Sequence, residues 1–183
     1  MKDSGVEWIG EVPGHWEVKK LKFELESLNN IRIPLSSVVR GNMKEKIYDY
    51  YGASGVIDKV DEYLFDENLI LIGEDGANLI TRSKRLVFMA TGKYWVNNHA
   101  HILRPINGNL RYYTELLETY DFSLWVSGSA QPKLTSEKLS NVLVLSPPVK
   151  EQHQIVQHIE THTTRIDREI AATEKEIALL EEY

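Results

Sequence analysis

VLVLSPPVKEQHQIVQHIETHTTRIDREIAATEKEIALLEEY, residues 142–183, reads as a strand, a break and a helix. Val142 to Leu145 is a short apolar run, and Pro147-Pro148 ends it. From about Lys150 the pattern predicts one helix to the last residue. Val156, Ile159, Thr163, Ile166, Ile170, Thr173, Ile177 and Leu180 recur in alternating steps of three and four, the a/d seam of a heptad repeat. At 1.5 Å per residue such a helix is roughly 50 Å long. The seam asks for a partner helix, unless the helix folds back on its own domain. Its e positions are Glu160, Asp167, Glu174 and Glu181, and its g positions are His162, Glu169, Glu176 and Tyr183. Two copies side by side would set like charges together. Either the partner supplies basic flanks, or burial of the seam outweighs the repulsion.

Upstream of this helix the pattern changes. Leu21, Phe23 and Leu25 alternate as in a strand, Asn29-Asn30 signals a turn, and Leu69 to Ile72 is a continuous apolar run stopped by GEDG. Leu86–Ala90 and Tyr94–Leu103 predict two strands joined at Thr91-Gly92-Lys93. Leu110, Tyr113, Leu116, Leu117 and Tyr120 have helical spacing, and Leu134–Leu139 predicts a short helix. Residues 1–16 read as an irregular arm anchored by Trp8 and Trp16. The fold class is therefore α/β (mixed α+β): a globular domain over residues 1–150, followed by a long coiled-coil-type helix over 151–183.

Composition bounds the function. A chain of 183 residues with 42% hydrophobic content is enough for one folded domain and an appendage. No run approaches the ~18 apolar residues of a membrane span, and no apolar segment follows Met1. With no cysteine, disulfides and thiolate metal sites are excluded, and a cytoplasmic protein is expected. The net charge of −6 is concentrated in the helix. Residues 151–183 carry Arg165, Arg168 and Lys175 against eight acidic residues, which leaves the rest nearly neutral and able to present a basic face.

Several catalytic motifs stop short. Ser146-Pro147-Pro148-Val149 has the Ser-Pro-Pro of an amino-methyltransferase loop, but Val149 replaces the aromatic ring that would stack on a flipped base. Gly52-Ala53-Ser54-Gly55 places its second glycine one residue too early for a nucleophile elbow. His158 and His162 are i, i+4, but Glu160 does not directly follow the first histidine as a zincin requires. His99 and His101 lie two apart on an expected strand, as metal ligands, core residues or neighbours of a base-reading surface. Gly73-Glu74-Asp75-Gly76 has the glycines of a phosphate loop, but its carboxylates would repel phosphate. Basic and aromatic groups do interleave: Arg40, Lys44 and Lys46 precede Tyr48, Tyr50 and Tyr51. Arg82, Lys84 and Arg85 follow Thr81, and Lys133 and Lys138 flank a third loop. With Ser54, Asn97 and Asn98 these suit phosphate and base-edge contacts.

A resemblance spans nearly the whole chain. SGVEWIGEVPGHWEVKKLK near the start, YYGASGVID at 50–58, LILIGEDGAN at 69–78, NNHAHILRP at 97–105, SGSAQPKLT at 127–135 and LVLSPPVKEQHQIVQHIE at 143–160 follow the order of one half of a specificity subunit of type I restriction–modification systems. The resemblance implies a target-recognition domain that reads one half of a bipartite double-stranded DNA site. It also implies a spacer helix that packs antiparallel against a second one. Methyltransferase subunits, carrying S-adenosylmethionine, and a motor-nuclease subunit are the implied partners, and the subunit itself is not a catalyst. The family usually has two recognition domains and two helices. This chain resembles a half-subunit, which is expected to self-associate through its helix and read a symmetric site. On residue chemistry the expected DNA-contacting set is Arg40, Lys44, Tyr50, Ser54, Arg82, Lys84, Arg85, Asn97 and Asn98. Neither a metal nor a cofactor is expected on the chain. The rival readings are a histidine-metal hydrolase and an assembly adaptor that never touches DNA.

Overall fold

The computed structural model describes residues 1–6, 8–128 and 131–181. Glu7, Ser129, Ala130 and the expected flank residue Tyr183 lie outside the described residues. In chain order the elements are β1 (Lys2–Asp3), β2 (Glu11–Val12), β3 (Glu17–Lys20), β4 (Leu25–Ser27), α1 (Ser37–Gly41), β5 (Tyr48–Gly52), β6 (Gly55–Val60), β7 (Phe65–Asp66) and β8 (Leu69–Gly73). There follow α2 (Asn78–Thr81), β9 (Val87–Ala90), β10 (Lys93–Val96), β11 (Ala100–Pro105), α3 (Leu110–Glu118), α4 (Ser136–Ser140), β12 (Leu143–Ser146) and α5 (Val149–Glu181).

The apolar run at 69–72 is continuous because β8 is covered on both faces. It lies inside an antiparallel sheet of order β4-β11-β8-β9. Successive side chains of a strand point to opposite faces. Ile70 and Ile72 accordingly join one core with Tyr112, Tyr113 and Leu117 of α3. Leu69 and Leu71 join a second core with Phe65, Tyr94 and Val96. Those last residues belong to a second sheet of order β6-β5-β10-β7, in which β5 and β10 run parallel. The domain is thus layered as helix, sheet, sheet, with β8 serving both cores.

Two expectations are corrected. Leu21–Phe23 is a turn of 3₁₀ helix rather than strand. Leu21 and Leu25 are buried while Phe23 faces solvent, and the strand begins only at Leu25. Residues 94–103 are two strands, because Asn97-Asn98-His99 turns the chain between the sheets. The strands on either side of Thr91-Gly92-Lys93 are joined there as expected but belong to different sheets: β9 pairs with β8, whereas β10 pairs with β5 and β7.

The start and end of the domain are stitched together by β3 and β12, registered from Leu143 opposite Lys20 to Ser146 opposite Glu17. Trp8 packs edge-on against Tyr120 with ring centroids 4.7 Å apart. The Trp16 indole donates to Glu151 at 2.8 Å, so the arm holds the first turn of α5. Gln152 is buried there: its oxygen accepts from Asn109 N–H at 2.8 Å and its amide donates to the Pro147 carbonyl at 3.0 Å. Val156 is the last buried residue of α5. From Glu160 to Leu180 the helix is exposed all round, so it projects from the domain and does not fold back on it.

Candidate functional site

Three chain reversals meet at one groove of about 340 Å³, lined by residues of the β5–β6 turn, the loop after β8 and the β10–β11 turn. Gly73 makes that meeting possible. A Cβ there would lie 2.6 Å from the Ala53 carbonyl oxygen and 2.8 Å from a Leu86 methyl, so the hairpin tip can close on the end of β8 only against glycine.

The GEDG carboxylates, expected to repel phosphate, are both engaged. Glu74 is nearly buried and pairs with Arg32 at 2.5 Å and Lys133 at 3.1 Å. Burial pushes its carboxyl upward, but Arg32, His101 and Lys133 outweigh this and hold it below the usual range. Backbone bonds from Glu74 N–H to the His99 carbonyl and from Leu134 N–H to the Glu74 carbonyl, both 2.8 Å, tie the loop after β8 to the β10–β11 turn and to the segment before α4. Asp75 accepts from His99 Nδ1 at 2.8 Å.

The two histidines two apart do not share a site. His101 is wholly buried: Nε2 donates to the Leu134 carbonyl at 2.7 Å, and Nδ1 accepts from the Asn29 amide at 2.9 Å. Burial holds its pKa below the ordinary histidine value. His99 is half-exposed at the groove. His158 and His162 lie side by side on α5 with ring centroids 4.2 Å apart and planes tilted by 46°. Among the described residues no three His, Asp or Glu side chains converge as a metal site.

Of the expected DNA-contacting residues, Ser54 and Asn97 line the groove, and Asn98 is exposed beside it. Asn97 itself is buried, with its oxygen accepting from His99 N–H at 2.7 Å. Lys84 adjoins the groove: Asn78, in the lining, clasps the Lys84 backbone at both N–H and C=O, leaving the side chain exposed. Lys44 is also exposed, but its backbone is bound to Asp61 at the far end of β6.

Of the remaining four, Tyr50 is corrected, and Arg40, Arg82 and Arg85 form ion pairs within the domain. Tyr50 is a core residue, 1% exposed, with its hydroxyl accepting from Leu35 N–H. Arg40 lies over the Tyr50 ring and donates to Asp58 at 2.8 Å, which brings the Asp58 carboxyl down to about 2. Arg82 is the left-handed cap of α2, and its guanidinium is held by Glu118. Arg85 is paired with Glu115 at 2.9 Å. Both therefore brace α3 rather than stand free. Sequence reasoning did not single out Ile57 or Ala77, exposed carbon beside polar groups, because neither has a charge or motif to mark it.

The seam of α5 is open. Val156 is buried against the domain and Ile159 is half-buried, whereas Thr163, Ile166, Ile170, Thr173, Ile177 and Leu180 face solvent. The Thr163 and Thr173 hydroxyls bond back to the Ile159 and Glu169 carbonyls. No helix among the described residues is long and apolar enough to cross a membrane.

Fold and groove together define a class: a two-sheet α/β domain that presents clustered loops and carries a projecting helix with an exposed apolar seam. Residues 13–181 match the family model described as the type I restriction modification DNA specificity domain, and the chain belongs to that family. It is 31% identical over 169 residues to a putative type I restriction enzyme specificity subunit of Haemophilus influenzae, covering 89% of this chain and 39% of that protein. It is 25% identical over 133 residues to the EcoprrI specificity subunit of Escherichia coli, covering 72% and 32%. This chain thus spans well under half the length of either relative. The same fold occurs in the S subunit from M. genitalium, with a TM-score of 0.66 at 12% identity over 86% of this chain and 42% of that one. It also occurs in the HsdS subunit of Thermoanaerobacter tengcongensis, with a TM-score of 0.61 at 15% identity over 87% and 40%.

Proposed function

We propose that this chain is the DNA-reading and scaffolding part of a type I restriction–modification assembly, with residues 1–150 as the recognition domain and 151–183 as the spacer helix. The observation that carries this reading is the family match, which runs across both the loop-bearing domain and the helix. Double-stranded DNA meets the loop groove: Lys84 and Lys44 contribute to phosphate attraction, and the groove residues Ser54 and Asn97, with Asn98 beside them, face base edges. The chain holds DNA and performs no bond-making step. Methyl transfer belongs to docked methyltransferase subunits with their own S-adenosylmethionine, and cleavage to a motor-nuclease subunit. The open seam of α5 takes a second helix, supplied by another copy of this chain or by a second specificity half.

The test is selection of duplexes from a randomised pool by the chain, alone and with a cognate methyltransferase subunit. A bipartite consensus is the expected result. Lys84→Ala should weaken all duplexes alike and flatten the salt dependence by about one unit of slope. Methyltransferase binding with no sequence enrichment would instead establish the adaptor reading.

A further inference from the structure

We infer that the groove reads an A·T base pair from its major-groove edge, and that Asp75 sets this preference by fixing the His99 ring. The inference rests on the DNA-binding reading above and goes on to name what the groove takes. Its walls are largely carbon: Ile57 is 56% exposed beside Ala53 and Ala77. Asn97 and His99 line the groove beside this carbon. Asn97 uses its oxygen to accept from His99 N–H, which commits the orientation of the amide. Its Nδ2 is then the donor that Asn97, a lining residue 5% exposed, has to offer. His99 Nδ1 lies 2.8 and 3.0 Å from the two Asp75 oxygens. An ionised carboxylate only accepts, so Nδ1 carries the hydrogen, and in the neutral ring Nε2 is left as an acceptor.

One donor, one acceptor and an apolar wall match a single base pair. Adenine presents N7 as acceptor and N6 as donor, and its thymine partner presents a methyl group. Guanine presents two acceptors, N7 and O6, and would set a lone pair against His99 Nε2. Cytosine has no methyl for Ile57. The wall is carried by the β5–β6 turn and β6, the edge strand of its sheet. Of the acidic groups of the loop, Glu74 is paired with Arg32 and Lys133, and Asp75 is turned to the His99 ring.

The test takes the consensus duplex selected by the full chain and substitutes it one base at a time at pH 8. At one A·T position, uracil in place of thymine should weaken binding about fourfold, the worth of one buried methyl. At the same position 2-aminopurine, which still pairs with thymine but lacks the N6 amino group, should weaken it about fivefold, the worth of one neutral hydrogen bond. Ile57→Ala should erase only the first effect and His99→Ala only the second. Both side chains are exposed, so neither substitution threatens the fold. Asp75→Asn, whose amide is also able to donate to Nδ1, should relax the choice of adenine over guanine. A consensus in which every thymine and adenine tolerates these replacements overturns the inference while leaving DNA recognition intact. So do sensitivities that persist unchanged in both variants. Failure to enrich any sequence overturns DNA recognition itself, and the inference with it.

Discussion

Gly73 sits where the β5–β6 turn presses on the end of β8, and every function proposed for the groove depends on that approach. Gly73→Ala forces a Cβ to within 2.6 Å of backbone, which has little room to yield. Overpacking of this kind costs about 1–3 kcal/mol. Urea denaturation should show that loss, and DNA affinity should fall beyond what the loss of folded protein explains. His101, two residues past the groove, makes the same region sensitive to acid. Burial depresses its pKa from the ordinary 6.5, so below that pH the unfolded chain binds the proton and the folded chain resists it. Stability therefore falls as pH drops through 6.5 towards the depressed value. Glu74 adds a second loss at lower pH. Its lowered pKa gives stability that is fully present above 4.5 and disappears as the pH falls through the folded value. Urea midpoints should fall between pH 7 and 5. His101→Gln should be less stable at pH 7 by about 1–2 kcal/mol, through lost hydrogen bonds, yet have a flatter slope over that range.

At the scale of elements, α5 is two things in one helix. Its first two turns belong to the domain through Glu151, Gln152 and Val156, and the remainder is exposed to solvent. Gln152→Leu keeps the volume but strips partners from the Asn109 N–H and the Pro147 carbonyl, at a cost of about 1–3 kcal/mol for each group left dry. Scanning urea denaturation should detect it without loss of helix content by circular dichroism. Elements such as α5 and β8 are plain in the sequence because local pattern decides them: a seven-residue period, or an apolar run walled by turns. What stays hidden is non-local. That β10 leaves β9 to run parallel with β5 is settled by two cores some distance away in sequence, and no spacing within 86–103 records it. The candidate site shows the same division. Asn97, Ser54 and Lys84 are legible as polar groups near glycines. Whether Arg82 or Arg40 is free depends on whether Glu118 or Asp58 folds onto it, and Tyr50 is indistinguishable in sequence from an exposed tyrosine.

At the scale of the whole molecule, the open half of α5 sets the terms of assembly. An isolated helix of some twenty residues with an unpaired seam is marginal in water. Hydrogen exchange should therefore find the amides of residues 161–180 weakly protected in dilute protein and strongly protected once a partner is bound. If that partner is a second copy, the seam attracts and the flanks repel. Ile166, Ile170, Ile177 and Leu180 gain by leaving water, while Asp167, Glu169, Glu174 and Glu176 meet their like. Salt screens the second effect and leaves the first. Self-association should thus strengthen between low salt and about 0.5 M, the reverse of what DNA binding does over the same range. Sedimentation velocity at several salt concentrations separates the two. Ile166→Asp with Ile170→Asp should leave a folded monomer at every salt concentration. A seam held mainly by basic flanks on a different chain would show the opposite trend, with assembly loosening as salt rises.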